Sequence, residues 1–179
     1  MKAMSRILTL VIGLAAIPLA SLALAQEPVS ALKGHDPDAP IDISSQRIEV
    51  QDRANRAVFA GDVIARQGSL TLATERLTVA YTSAGGLEIN RLDASGGVVV
   101  RSPSETARGN FGVYDLDRKL ITLIGAVQLS RGGSQINGQR LTIDLNSGRA
   151  VVDGGLRGVG QSGGRVTGHF TVPRRGGGN

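Results

Sequence analysis

The sequence predicts an all-β fold: a twisted antiparallel sheet, V-shaped or rolled like a jelly roll, with an apolar interior. Three observations predict it. Apolar residues recur with period two through the body of the chain. Two short motifs alternate and return every 29 to 35 residues. A glycine recurs at an inward position in the middle of one of these motifs.

The alternation begins at Ile41. Arg47-Ile48-Glu49-Val50, Ser69-Leu70-Thr71-Leu72, Arg76-Leu77-Thr78-Val79-Ala80-Tyr81 and Arg140-Leu141-Thr142-Ile143-Asp144-Leu145 all place polar and apolar residues in turn. In a strand, successive side chains point to opposite faces, so each run has one apolar face and one polar face. Val, Ile and Thr suit such surfaces. Between the runs lie Asp52-Arg53-Ala54-Asn55, Ser83-Ala84-Gly85-Gly86, Asp115-Leu116-Asp117-Arg118 and Asn146-Ser147-Gly148, short polar or Gly-rich stretches that read as hairpin connections. No segment after the N-terminal apolar run carries a helical stripe.

The first repeated motif is Gln46-Arg47-Ile48, Glu75-Arg76-Leu77 and Gln139-Arg140-Leu141, each read as opening a strand, with a weaker copy at Ala107-Arg108-Gly109. The second is Phe59-Ala60-Gly61-Asp62-Val63, Ala94-Ser95-Gly96-Gly97-Val98, Leu123-Ile124-Gly125-Ala126-Val127 and Val152-Asp153-Gly154-Gly155-Leu156. Glycine inside a strand marks a bend, a bulge or a close backbone approach. Bends in register would fold each long strand over and roll the sheet. The frame places Ile48, Val50, Phe59, Val63, Leu70, Leu72, Leu77, Val79, Val98, Val100, Phe111, Val113, Ile121, Leu123, Val127, Leu129, Ile136, Leu141, Ile143 and Leu145 inside. Periodicity alone leaves open whether they fill a closed core or line a surface for a ligand.

Composition bounds the chemistry. The chain has 179 residues, aromatics make up 3 %, and there are 25 Gly and no Cys. The interior must therefore be aliphatic, and glycine stands at about twice its ordinary share. The absence of Cys excludes disulfides, thiolate metal sites and Cys nucleophiles. Lys2 and Arg6, the apolar run Ile7 to Leu24 and Ala23-Leu24-Ala25 form a signal-peptide pattern, so residues 1–25 are expected to be removed. The remaining 154 residues carry 18 basic and 15 acidic side chains. That mild excess permits an anionic ligand, and without a basic stripe interleaved with aromatics nucleic acid is not an expected partner.

Residues 26–40 are expected to be a flexible lead-in, 41–172 the β domain, and 173–179 a disordered Gly/Arg tail. Asp36 and Asp38 flank Pro37, but a hard-cation loop needs more oxygen ligands, so no metal site is expected. His35 and His169 have no patterned catalytic partner. Gly160-Gln161-Ser162-Gly163-Gly164 matches G-x-S-x-G, yet no helix follows and no acid separates Ser162 from His169. Gly158, Gly160 and Gly163 fit G-x-G-x-x-G without the βαβ unit that motif requires. The chain is expected to be no enzyme and to use no cofactor.

Ile41-Asp42-Ile43-Ser44-Ser45-Gln46-Arg47-Ile48-Glu49-Val50, Arg56-Ala57-Val58-Phe59-Ala60-Gly61-Asp62-Val63, Gly68-Ser69-Leu70-Thr71-Leu72 and Glu75-Arg76-Leu77-Thr78-Val79 together resemble the OstA-like family of periplasmic lipopolysaccharide-transport proteins, the group of LptA. The resemblance covers roughly Pro40 to Leu156. It implies a jelly roll whose apolar groove receives the acyl chains of lipid A. It also implies head-to-tail homo-oligomers that bridge LptC-like inner-membrane and LptD-like outer-membrane partners across the periplasm. The groove positions it implies are Ile48, Val50, Phe59, Val63, Leu70, Leu72, Leu77 and Val79, with Leu123, Val127, Ile136, Leu141 and Ile143 in the later repeat. The first strand, around Ile41 to Val50, and a late strand, around Arg165 to Val172, are expected to be exposed edges suited to strand addition. Two alternatives stay open: an LptC-like subunit anchored by Ile7 to Leu24, and a structural β-repeat protein with no ligand.

Overall fold

The computed structural model describes Leu32 and residues 35–83, 86–155 and 164–171. The expected signal segment, the Gly-rich stretch 156–163 with Ser162, and the 173–179 tail lie outside the described residues. Among the described residues ten strands form one antiparallel sheet: β1 (Ile41–Ser44), β2 (Arg47–Gln51), β3 (Arg56–Gln67), β4 (Leu70–Thr82), β5 (Glu88–Arg101), β6 (Glu105–Asp115), β7 (Leu120–Arg131), β8 (Ser134–Asp144), β9 (Arg149–Asp153) and β10 (Thr167–His169). Each strand from β3 to β8 is hydrogen-bonded to the next. β1 and β2 share the free side of β3, and β9 and β10 share the free side of β8. Both predicted edges are therefore present, each made by two short strands.

Every predicted hairpin connection falls between strands. Three further turns carry weaker signals: Gly68-Ser69, Ser102–Ser104 and Gly132-Gly133. The last has positive φ at both residues, the geometry that two-residue hairpins prefer.

The long strands bend at mid-length, and the bend has a repeated construction. In β3, β5 and β7 two consecutive residues take positive φ: Gly61-Asp62, Gly96-Gly97 and Gly125-Ala126. Cross-strand register shifts at these same places, between Ala60 and Val63, Ser95 and Val98, and Ile124 and Val127. An extra residue at each bulge turns the strand and rotates its side chains. A polar side chain from the neighbouring chain segment lies over each corner glycine: Gln46 from the link between β1 and β2, Glu75 from β4 and Asn110 from β6. A Cβ on Gly61 would lie 2.6 Å from Gln46 Oε1, one on Gly96 2.7 Å from Glu75 Cβ, and one on Gly125 2.8 Å from Asn110 Nδ2. Positive φ and close approach both call for glycine here.

This construction corrects the sequence frame in four places. Glu75-Arg76 and Gln139-Arg140 do not open strands. They are the mid-points of β4 and β8, where two consecutive outward residues mark the bend. The third copy of that motif is Asn110-Phe111, not Ala107-Arg108-Gly109, because Asn110 covers the Gly125 corner. In the last copy Gly155 (φ +85°), not Gly154, is the glycine stacked against Gln139. Phe111 and Val113, expected inside, lie on the outer face. Phe111 pairs with Ser95 and Ile124, Val113 pairs with Asp93 and Thr122, and the inward positions of that half-strand are Gly112 and Tyr114.

Bending divides the sheet into two walls with facing apolar rows. The register across the first wall runs Ile48, Phe59, Leu77, Ala94, Gly112, Leu123, Leu141, Val152 without a break. Across the second it runs Ile43, Ala65, Leu72, Val100, Ala107, Leu129, Ile136, Gly168. The two rows meet in one hydrophobic cluster.

Candidate functional site

The apolar interior is the one feature that runs from edge to edge of the sheet, and its degree of closure changes along that length. In the middle it is sealed. Val63, Leu77, Leu123, Leu141 and Ile143 have no exposed surface, and Val127, Val79, Leu70 and Leu72 are buried with them. The free space between the walls there, bounded by Ala65, Leu70, Leu72, Val100, Tyr114 and Leu123 among others, is about 20 Å³. That is room for a single water molecule and not for an acyl chain.

At the β1/β2 edge the interior is open. A cavity of about 360 Å³ is lined by Ile41, Ile43, Val50, Ala57, Phe59, Val79, Leu87 and Ile89, with Asp52 and Tyr81 at its polar border. Ile48 and Val50 are 55 % and 57 % exposed, although their partners Phe59 and Ala57 belong to the inner face. They are inward residues at an open mouth. At the opposite end Leu129, Ile136, Leu145, Ala150 and Val152 are only half-buried.

Of the thirteen expected groove positions, nine are thus packed into the closed core: Val63, Leu70, Leu72, Leu77, Val79, Leu123, Val127, Leu141 and Ile143. Phe59 and Ile136 are half-buried, and Ile48 and Val50 form the mouth.

Between these ends the walls are held together by a polar clasp. Gln67 ends β3 on the second wall and Tyr114 sits near the end of β6 on the first. The Tyr114 hydroxyl donates to Gln67 Oε1 at 3.0 Å, and Gln67 Nε2 donates to the carbonyls of Pro37 (2.8 Å) and Ala39 (3.0 Å). Residues 35–40, read from sequence as a flexible lead-in, therefore pack across the seam. Asp38 forms an ion pair with Lys119 at 2.9 Å, and Leu32 is buried in the core cluster. Asp36 accepts the Asp38 backbone N–H at 3.0 Å, so these two acids build a turn and an ion pair. His35 is half-buried, and neither ring nitrogen reaches a well-formed hydrogen bond among the described residues; burial, only partly offset by nearby Gln67 and Asp36, holds its pKa below the ordinary value. Burial also pushes the Tyr114 phenol up to about 12. Polar residues at inward positions are the only trace of this clasp in the sequence.

Among the described residues no group of three or more His, Asp or Glu could hold a metal ion, and no helix is long and apolar enough to cross a membrane. His169 lies exposed on β10.

A single antiparallel sheet, bent along a row of glycine corners around an aliphatic interior with two free edges, defines a β-jelly roll of the lipopolysaccharide-transport type. The sequence bears this out: residues 42–149 match the family described as LptA/(LptD N-terminal domain) LPS transport protein, and the chain belongs to it. It is 35 % identical over 152 residues to the uncharacterized protein R00383 of Rhizobium meliloti (strain 1021), covering 80 % of this chain and 82 % of that one. It is 26 % identical over 154 residues to the lipopolysaccharide export system protein LptH of Pseudomonas aeruginosa (strain PAO1), covering 80 % and 84 %. The crystal structure of LptH, the LptA homologous periplasmic component of the lipopolysaccharide transport device of Pseudomonas aeruginosa, superposes with a TM-score of 0.64 at 19 % identity. That match covers 77 % of this chain and 99 % of LptH. The predicted OstA-like, LptA-type fold is thereby established.

Proposed function

We propose that this chain is a periplasmic, non-enzymatic lipopolysaccharide carrier and bridge protein, which holds acyl chains between its two walls on the way from the inner to the outer membrane. The observation that carries this reading is the unbroken apolar interior, open at the β1/β2 mouth and less sealed toward β9 and β10. Each methylene removed from water contributes about 0.8 kcal/mol, so several acyl chains bind tightly to aliphatic walls with no dedicated polar contact. The sealed middle requires that the walls part when lipid enters. Phe59 and Val50 at the mouth meet the chains first, and the core positions from Val63 to Ile143 line the path once it opens.

The two free edges suit strand addition, either by further copies of the chain head to tail or by the related folds of LptC-like and LptD-like partners. Driving energy then comes from a partner.

Site-specific photo-crosslinking in cells tests the proposal. A crosslinker at Val50 or Phe59 is expected to capture lipopolysaccharide. One at Phe111, as exposed as Val50 but on the outer face, is expected to capture none. Equal capture at all three positions sinks the groove. An anchored LptC-like role is separated by the mass of the mature protein: a product that begins at Gln26 has no Ile7 to Leu24 anchor.

A further inference from the structure

A second, polar cavity lies on the rim of the second wall, between the β5–β6 and β7–β8 turns. It is about 390 Å³, within the range of small-molecule sites. Ser102, Ser104, Ser130 and Gln135 line it, together with Glu105 and Arg131. The feature that distinguishes it from an ordinary crevice between turns is Glu105. Its side chain is 3 % exposed and ion-paired with Arg131 through Oε1. The other carboxylate oxygen, Oε2, is buried and has no hydrogen-bond partner among the described residues. A buried carboxylate oxygen without a donor is costly, and folded proteins rarely leave one so.

The chemistry of the lining selects what fills it. Oε2 accepts and does not donate, so it calls for a hydroxyl or amide donor and repels an anion placed directly against it. The Ser104 and Ser130 hydroxyls have no partner among the described residues and both donate and accept. A lone carboxylate already paired with arginine is too poor a ligand set for a divalent cation. A carboxylate, free hydroxyls and an amide in one cavity match a polyhydroxylated ring. Arg101, exposed and without an ion pair among the described residues, directly precedes the lining residue Ser102 at the end of β5. It is suited to a phosphate substituent on such a ring.

The cavity also lies beside the less sealed part of the interior. Ala107, two residues beyond Glu105 on the inner face, pairs with half-buried Leu129, which pairs with Ile136. We propose that this rim cavity binds the phosphorylated sugar headgroup of the lipid whose acyl chains enter between the walls. This inference rests on the carrier reading and adds to it a site that recognises the sugar.

The full mature chain is titrated with two probes and followed by amide NMR: a bisphosphorylated glucosamine disaccharide without acyl chains, and palmitate. The disaccharide is expected to shift the amides of residues 102–106 and 130–135, and palmitate to shift those of the mouth around Val50 and Phe59. Glu105→Gln is expected to weaken disaccharide binding about ten-fold, the loss of one charged hydrogen bond. Ser104→Ala, on an exposed turn and so harmless to folding, is expected to weaken it about three-fold. Palmitate binding is expected to be unchanged in both. No disaccharide shift at these two turns, or equal losses of both probes, overturns the proposal. If palmitate fails to bind while the disaccharide shifts the turns, the acyl-carrier reading falls and the sugar site stands.

Discussion

The Tyr114 hydroxyl and Gln67 Oε1, 47 residues apart in sequence, meet at 3.0 Å and tie one wall of the roll to the other. Gln67 is 5 % exposed, so when Tyr114 is lost its carbonyl is left buried without this donor. Tyr114→Phe is expected to cost about 1–3 kcal/mol, measured as a lower urea midpoint with unchanged slope. Burial of the same phenol gives a signature in alkali. A phenol at about 12 in the folded state, against 10.0 in the unfolded one, stays protonated when the unfolded chain ionises. Stability is therefore full below pH 10 and falls between pH 10 and 12, by roughly 2–3 kcal/mol. Tyr114→Phe should remove that fall, and an unchanged alkaline profile in the variant would contradict the assignment.

His35 supplies the counterpart in acid. Its folded pKa lies below 6.5, so the docked segment keeps the ring neutral while the released one takes up a proton. Docking is at full strength above pH 6.5 and weakens as the pH falls below it. The protection of residues 35–40 against hydrogen exchange, corrected for the slower intrinsic exchange in acid, is expected to fall from pH 7 to pH 5.5 in the native chain. The effect should be largely lost in His35→Gln.

The glycine corners offer a test of the bend. Gly96→Ala forces a Cβ to within 2.7 Å of Glu75 Cβ at a φ of +87°. Strain and clash together are expected to cost about 2–4 kcal/mol. Adding Glu75→Gly removes the clash and leaves the strain, so about half the loss should return. Thermal melts of the single and double variants decide it, and no recovery would mean that the two residues do not oppose each other.

Core and mouth should separate stability from capture. Leu141→Ala, at a fully buried position, is expected to cost about 2–5 kcal/mol. Ile48→Asp, at an exposed edge, should cost less than about 0.5 kcal/mol yet reduce lipopolysaccharide capture several-fold. Denaturation and crosslinking yields measured side by side check both.

The walls were legible in the sequence because alternation in β4, β7 and β8 is nearly uninterrupted, and because Gly61, Gly96 and Gly125 recur in the same frame. What the pattern hid was the change of phase inside each even-numbered long strand. Glu75-Arg76 looks like a strand opening because two polar residues in a row end an alternation. In the structure they are the outward pair at a bend of one continuous strand. The same ambiguity displaced the third repeat. Ala107-Arg108 carries the arginine but Asn110 carries the contact, so parity counted from Arg108 puts Phe111 and Val113 on the wrong face. The seam was invisible for another reason. Asp38 and Lys119 are 81 residues apart, and nothing local in either segment announces the pairing. Burial at Ile48 and Val50 also fails to follow from parity, because an edge has no neighbour to cover it.

The recurring corner has a consequence for size. One corner and its covering side chain occupy two strands, which span roughly 10 Å along the roll. Inserting or deleting one such pair leaves the cross-section and both edges as they were and changes only the distance between them. The protein thus carries its own ruler: reach is counted in whole strand pairs, and a relative could lengthen or shorten its span without redesigning the walls.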